Sequence, residues 1–172
     1  MPEIEESVHL LSHRPEWRIQ AKEEAYRISK ELGIPISDIE HIGSTAVEGL
    51  VAKPIVDLML GTRKPPTEKF HAALAALGYE WLGDFPGRSY FRKRGERNFN
   101  AHVVVKNGDH WKNNLLLRDY LRRNKAARAR YAQAKQAAIS SGHATLLSYS
   151  AAKEPALSSL LREAASVHKK NQ

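Results

Sequence analysis

His41-Ile42-Gly43-Ser44-Thr45-Ala46-Val47-Glu48-Gly49-Leu50-Val51-Ala52-Lys53-Pro54-Ile55-Val56-Asp57 carries both the architecture and the chemistry of this chain. A short alternating strand, Ile39-Glu40-His41-Ile42, runs into Gly43-Ser44. After a small loop, Ile55-Val56-Asp57-Leu58-Met59-Leu60 is an almost continuous apolar run with one acid inside it, which predicts a buried strand. Gly43 lets the backbone come close to a ligand, and Ser44-Thr45 can cap a helix whose N-terminus favours anions. Asp57 cannot be buried among Val56, Leu58 and Met59 without a partner, because an isolated charge there costs several kcal/mol. A metal ion, Lys53 or an arginine can supply that partner; a structural ion pair or a strand-end acid reaching solvent is the alternative.

Outward from this stretch the pattern alternates between helix and strand. Pro15 suits a first helical turn, Trp17, Ala21, Ile28 and Leu32 recur at helical spacing, and Gly33 stops the helix. Gly61-Thr62-Arg63-Lys64-Pro65-Pro66 reads as a loop, since two prolines block both helix and central strand. Residues 67–77 resume helical periodicity. Tyr79 to Asp84, Ser89 to Lys93 and Asn98 to Lys106 read as strands, the last two joined as a hairpin through Arg94 to Arg97. On the last of them His102 shares a face with Asn100 and Val104. From Trp111 the chain is helical. Leu117, Tyr120, Leu121, Ala127, Tyr131, Ala134 and Ala138 form the apolar face, with Arg118, Arg122 and Lys125 turned away from it. A last helix spans about Ser150 to Ala165, with Pro155 expected near its first turn. The fold class is α+β: a mixed sheet backed by helices, with residues 1–107 bearing the sheet and 108–172 forming a C-terminal helical segment of one domain.

Composition narrows the partners. The chain has 172 residues, 42% of them hydrophobic, and a net charge of +8. Residues 111–140 hold eight Lys/Arg against the single acid Asp119, so nearly all of that charge lies there. The surplus predicts phosphate-bearing partners, a nucleotide or an RNA, unless the run is merely a solvated face. With 0 Cys, disulfide scaffolds, thiolate metal sites and cysteine nucleophiles are excluded. No apolar run reaches the roughly 18–20 residues of a membrane helix, and the acidic start lacks the order of a signal peptide, so a cytoplasmic location without membrane contact is expected. His9 and His13 have helical ligand spacing, but the glutamate that zinc peptidases place after the first histidine is missing. Trp17, Trp81 and Trp111 are assigned to the core rather than to base stacking.

Several of these segments together resemble the GrpB family, which is grouped with the nucleotidyltransferase superfamily of the polymerase-beta type. Pro15-Glu16-Trp17, Ile39 to Thr45, Lys53 to Asp57, His102-Val103-Val104 and Leu117 to Arg122 look like family landmarks, as do Tyr131, Lys135, Tyr149 and Lys153 on the C-terminal helices. The resemblance implies a nucleotidyltransferase-type sheet. It also implies a Gly-Ser phosphate cradle followed on the next strand by an acid-x-acid pair that holds Mg²⁺. Gly43, Ser44 and Asp57 match that pattern. Met59 stands where the second acid belongs, so Mg²⁺ on Asp57 would lack its usual second carboxylate.

Two function classes follow. One is a nucleotidyltransferase-like enzyme that binds a nucleoside triphosphate through Gly43, Ser44, Thr45, Lys53, Arg118 and Arg122. Asp57 would be its metal-binding catalytic carboxylate, with His41 or His102 as further catalytic residues. The other is a non-catalytic module on the same fold that binds a nucleotide, or RNA along the basic helix. Both require Gly43-Ser44 and Asp57 to face one cleft bordered by Arg118. No GxxxxGK[ST], GxGxxG or GxSxG is present, which argues against a P-loop kinase, a Rossmann oxidoreductase and a typical serine hydrolase.

Overall fold

A computed structural model describes residues 4–172. Five strands form one mixed sheet in the order β1-β2-β5-β4-β3, with β1 at Ile39–Ile42, β2 at Val56–Thr62, β3 at Glu80–Phe85, β4 at Arg88–Lys93 and β5 at Phe99–Val105. The β2–β5 pair is parallel and the other three are antiparallel. Helices α1 (Glu16–Leu32) and α2 (Glu68–Ala76) belong to the main core, with Trp17, Ile28, Leu58, Leu60, Leu74 and Phe91. Helix α3 (Asp109–Arg123) covers the other face, where Ile42, Met59, Val104 and Trp111 pack together. Helices α4 (Lys125–Ser140) and α5 (Leu146–Lys170) stack on α3 around Leu121, Tyr131 and Leu160. The expected α+β sheet backed by helices is observed, and Gly33, at φ 66°, ends α1 as predicted.

Four local expectations are corrected. Gly61 and Thr62 belong to β2, not to the following loop. At Gly61 a Cβ would meet the Trp111 ring at 2.7 Å, so the glycine allows α3 to lie close on the sheet. Trp81 lies on the edge strand β3 and is 40% exposed, its indole N–H donating to Ser89 Oγ at 3.1 Å. The basic helix is broken at Asn124, whose side chain accepts from the Ala127 amide and so starts α4. Lys125 therefore does not continue the face that carries Arg118 and Arg122.

Pro155 is the fourth correction, for it sits well inside α5 rather than in its first turn. The helix begins earlier because its first amides find distant acceptors: Leu146 donates to the Glu6 carbonyl at 2.8 Å and Leu147 to Glu5 Oε1 at 2.9 Å. Pro155 and the residue one turn before it, Ala151, are both exposed, so water can satisfy the carbonyl that the proline leaves free. Pro155→Ala should therefore raise stability, by up to about 3 kcal/mol, as read from the urea midpoint. An unchanged or lower midpoint would show that α5 is adapted to its proline.

Candidate functional site

The antiparallel register pairs Ile42 with Asp57, so the chain leaves β1 at Gly43 directly beside the acid of β2. Gly43 has φ +72°, and a Cβ there would lie 2.7 Å from Asp57 Oδ2. Only glycine allows this approach. Ser44–Ala46 form a single 3₁₀ turn, too short to act as the anion-binding helix N-terminus anticipated from Ser44-Thr45.

Asp57 finds its partners on β5, where the parallel register sets Asn100 opposite Asp57 and His102 opposite Met59. Its Oδ1 accepts from Asn100 Nδ2 at 2.9 Å and from His102 Nε2 at 3.0 Å. Two arginines orient these donors. Arg94 donates to Asn100 Oδ1 at 3.0 Å, which leaves the amide nitrogen for Asp57. Arg88 approaches His102 Nδ1 at 2.7 Å; since a guanidinium only donates, Nδ1 accepts and Nε2 carries the proton towards Asp57. The His102 ring also stacks on Tyr90, 5.1 Å between centroids. Burial pushes the Asp57 carboxyl up. The His102 contact, the Lys53 ammonium and the Asn100 amide outweigh it and hold the group well below the usual carboxylate range.

These residues line one cavity of about 400 Å³ between the sheet end and helices α3, α4 and α5. Gly43, Ser44, Thr45, Lys53, Asp57, His102 and Arg118 are all in its wall. His102, however, has both ring nitrogens engaged, so it acts on Asp57 rather than on a ligand. His41 and Arg122 line a separate, more open depression. Strand alternation is the reason for His41: it pairs with Leu58 on the α1 side, the face opposite Asp57. His41 Nε2 lies 2.9 Å from Thr45 Oγ1, and burial lowers its pKa to about 4. Arg122 spends its Nε–H on the Ala46 carbonyl at 2.8 Å. Arg118 reaches the cavity but is held by Glu40, Asp119 and the His41 carbonyl at 2.7, 2.9 and 3.1 Å. Of the other bases in residues 111–140, Arg128 donates to the carbonyls of Leu121 and Arg122 at the end of α3, and Arg130 forks onto Glu163.

The C-terminal helices add residues that helical patterning had passed over. Lys135 on α4 is 1% exposed, with Nζ 2.6 Å from Ser44 Oγ and 2.5 Å from the Val51 carbonyl. Burial, reinforced by the charges of Lys153 and Lys53, draws its pKa well below the ordinary lysine value. Burial lowers Lys53 and Lys153 as well, with Asp57 pulling both back up. The two ammonium groups lie 5.9 and 4.8 Å from the centre of the Tyr149 ring. Tyr149 is fully buried, and its hydroxyl has no hydrogen-bond partner among the described residues. The clue was Lys135 falling four residues after Tyr131, on the stripe that also carries Ala127 and Ala138.

The donor set does not fit Mg²⁺. Asp57 is the sole carboxylate in the cavity wall among the described residues, and its Oδ1 already accepts two hydrogen bonds. Met59, in the second acid's place, is fully buried beneath Trp111. No cluster of three metal-ligating side chains occurs among the described residues, whereas a hard cation needs several oxygens. No helix among them is long and apolar enough to cross a membrane.

Comparison with known proteins places the chain. A UPF0157 protein of Halalkalibacterium halodurans is 35% identical over 138 residues, covering 76% of this chain and 68% of the relative. The glutamate-rich protein GrpB of Alkalihalophilus pseudofirmus is 30% identical over 138 residues, covering 75% of this chain and 79% of the relative. The crystal structure of the conserved protein GrpB from Enterococcus faecalis superposes with a TM-score of 0.81 at 26% identity, covering 93% of this chain and 99% of that one. The family described as GrpB protein matches residues 7–163, a span that takes in every strand, helices α1 to α4 and most of α5. On that match the chain belongs to the GrpB family.

Proposed function

We propose that the cavity binds a phosphate-bearing small molecule, a nucleoside triphosphate being the first candidate, and that it does so without a divalent metal. One observation carries this reading: the wall sets Lys53, Arg88, Arg118 and Lys153, with the buried amine of Lys135 behind them, against Asp57, the one carboxylate in it among the described residues. Arg88 and Arg118 are engaged with His102 and Glu40, but Lys53 and Lys153 hold no ion pair among the described residues. Such a surplus in a partly apolar cleft attracts an anion. Nucleotidyl transfer, which the resemblance implies, would have to proceed here through amines and a hydroxyl instead of a carboxylate pair. RNA binding finds less support, because Arg118, Arg122, Arg128, Arg130 and Lys135 already hold partners within the chain.

A thermal-shift screen of nucleoside triphosphates, coenzyme A precursors and inorganic phosphate tests the reading. A ligand at 100 times its Kd should stabilise by about 2.7 kcal/mol, equal to roughly 5–11 °C for a chain of this size. The shift should survive EDTA and weaken at least about tenfold in affinity in Lys153→Met. It should also vary only gently with salt, because few phosphates are contacted. A shift seen only with Mg²⁺ or Mn²⁺, or binding confined to RNA with a steep salt slope, would overturn it.

A further inference from the structure

We infer that Ser44 is a nucleophile and Lys135 its general base. The inference takes its substrate class, a phosphoric anhydride, from the phosphate-ligand reading above. The geometry is already assembled. Ser44 lines the cavity and is half-buried, so its hydroxyl is reachable, while Lys135 Nζ lies 2.6 Å behind it. Lys135 has no carboxylate partner among the described residues, is sealed from water and is repelled by two further lysines. Nζ donates to the Val51 carbonyl at 2.5 Å and to Ser44 Oγ at 2.6 Å; once deprotonated, the amine keeps an N–H for Val51 and turns its lone pair to the Ser44 hydroxyl, the bond reversing direction. The Tyr131 ring, one turn earlier on α4, lies 5.0 Å from Nζ, and its hydroxyl also meets Ser44. Thr45, next in sequence, is buried and bonded to His41, and of the two serines in the wall, Ser44 and Ser150, Ser44 is the one with Lys135 against it.

The step balances without a redox partner. Ser44 Oγ attacks phosphorus, an Oγ–P bond forms and the bridging P–O bond breaks. The phosphate or pyrophosphate leaves with that electron pair, and the hydroxyl proton passes to Lys135 Nζ. Lys53 and Lys153 face the charge gathering on the phosphoryl oxygens. A plain structural clip between the Ser44–Val51 segment and α4 would show the same two distances, but it would not make the hydroxyl reactive.

A fluorophosphonate probe separates the two, since attack forms an Oγ–P bond and expels fluoride. Intact mass and peptide mapping should find one adduct, on Ser44, formed at least about a hundredfold faster than on any other serine. The labelling rate should rise with pH to a plateau reached well below the ordinary lysine value of 10.5. Ser44→Ala should abolish the adduct. Lys135→Arg keeps a donor for Val51 but gives up no proton, so it should lose labelling while its melting curve shows a folded chain. If either variant fails to fold, the wild-type pH profile decides. Labelling of Ser44 no faster than that of Ser150, or an undiminished rate in folded Lys135→Arg, overturns the inference. Efficient labelling that ATP does not slow would keep the nucleophile and overturn its assignment to a phosphoric anhydride.

Discussion

Asp57→Ala is expected to lose about 2–4 kcal/mol of folding stability, the cost of taking a charged acceptor from two part-buried donors. The truncation leaves Asn100 Nδ2–H and His102 Nε2–H facing the cavity without their carboxylate, and Arg88 and Arg94 prevent either from turning to a new protein acceptor. Asp57→Asn should cost less, because its amide oxygen can still accept both bonds. Acidity separates charge from geometry. The folded carboxyl titrates below its unfolded value of 3.8, so its contribution is complete above that value and drains away as pH falls beneath it. The stability gap between wild type and Asp57→Asn, measured by urea unfolding, should therefore narrow between pH 5 and the acid limit. A gap that stays constant over that range would show that the charge adds nothing.

Lys93→Met should cost a similar amount on the opposite face of the sheet. Glu24 of α1 is 2% exposed and takes Lys93 Nζ at 2.8 Å and the Tyr79 hydroxyl at 3.0 Å. Without Lys93 its carboxylate keeps that one hydroxyl and a 3.6 Å contact with Arg27, an expected loss of about 3–5 kcal/mol. For a chain of this size that lowers Tm by roughly 6–20 °C. Glu24→Leu should be milder. Lys93 is 22% exposed at its side chain and can turn its ammonium to water, leaving Tyr79 as the main orphan. The double variant Glu24→Leu/Lys93→Met should recover much of the loss, since no charge is left unpaired. Additive losses in that cycle would mean the pair is not coupled.

The sheet was legible because its strands announce themselves locally. The apolar run around Asp57, the alternation of β1 and the helix stop at Gly33 each sit within one element. The pairing of Gly43-Ser44 with Asp57 followed from the short path between neighbouring strands. The acid's partners did not, because Asn100 and His102 reach it only through a parallel register that no local pattern encodes. Lys135 was hidden differently. In a helix crowded with bases it reads as one more solvated charge; the family resemblance marked it as a landmark, and its place behind Tyr131 is the local sign of the buried stripe. Pro155 misled because the acceptors that start α5 early lie near the other end of the chain.

Those long spans bear on how the chain folds. Lys135 meets Ser44 across 91 residues, Arg94 meets Glu6 across 88, and the Leu147 amide meets Glu5 across 142. Each such contact closes a large loop before it is rewarded, which delays its formation relative to the local helices and the β3–β4 hairpin. The cavity should accordingly be the last region to acquire protection from hydrogen exchange during refolding. A sheet with its amides already protected would exist for a time before the Ser44 hydroxyl has a lysine behind it, so any reactivity of that hydroxyl belongs to the finished chain alone.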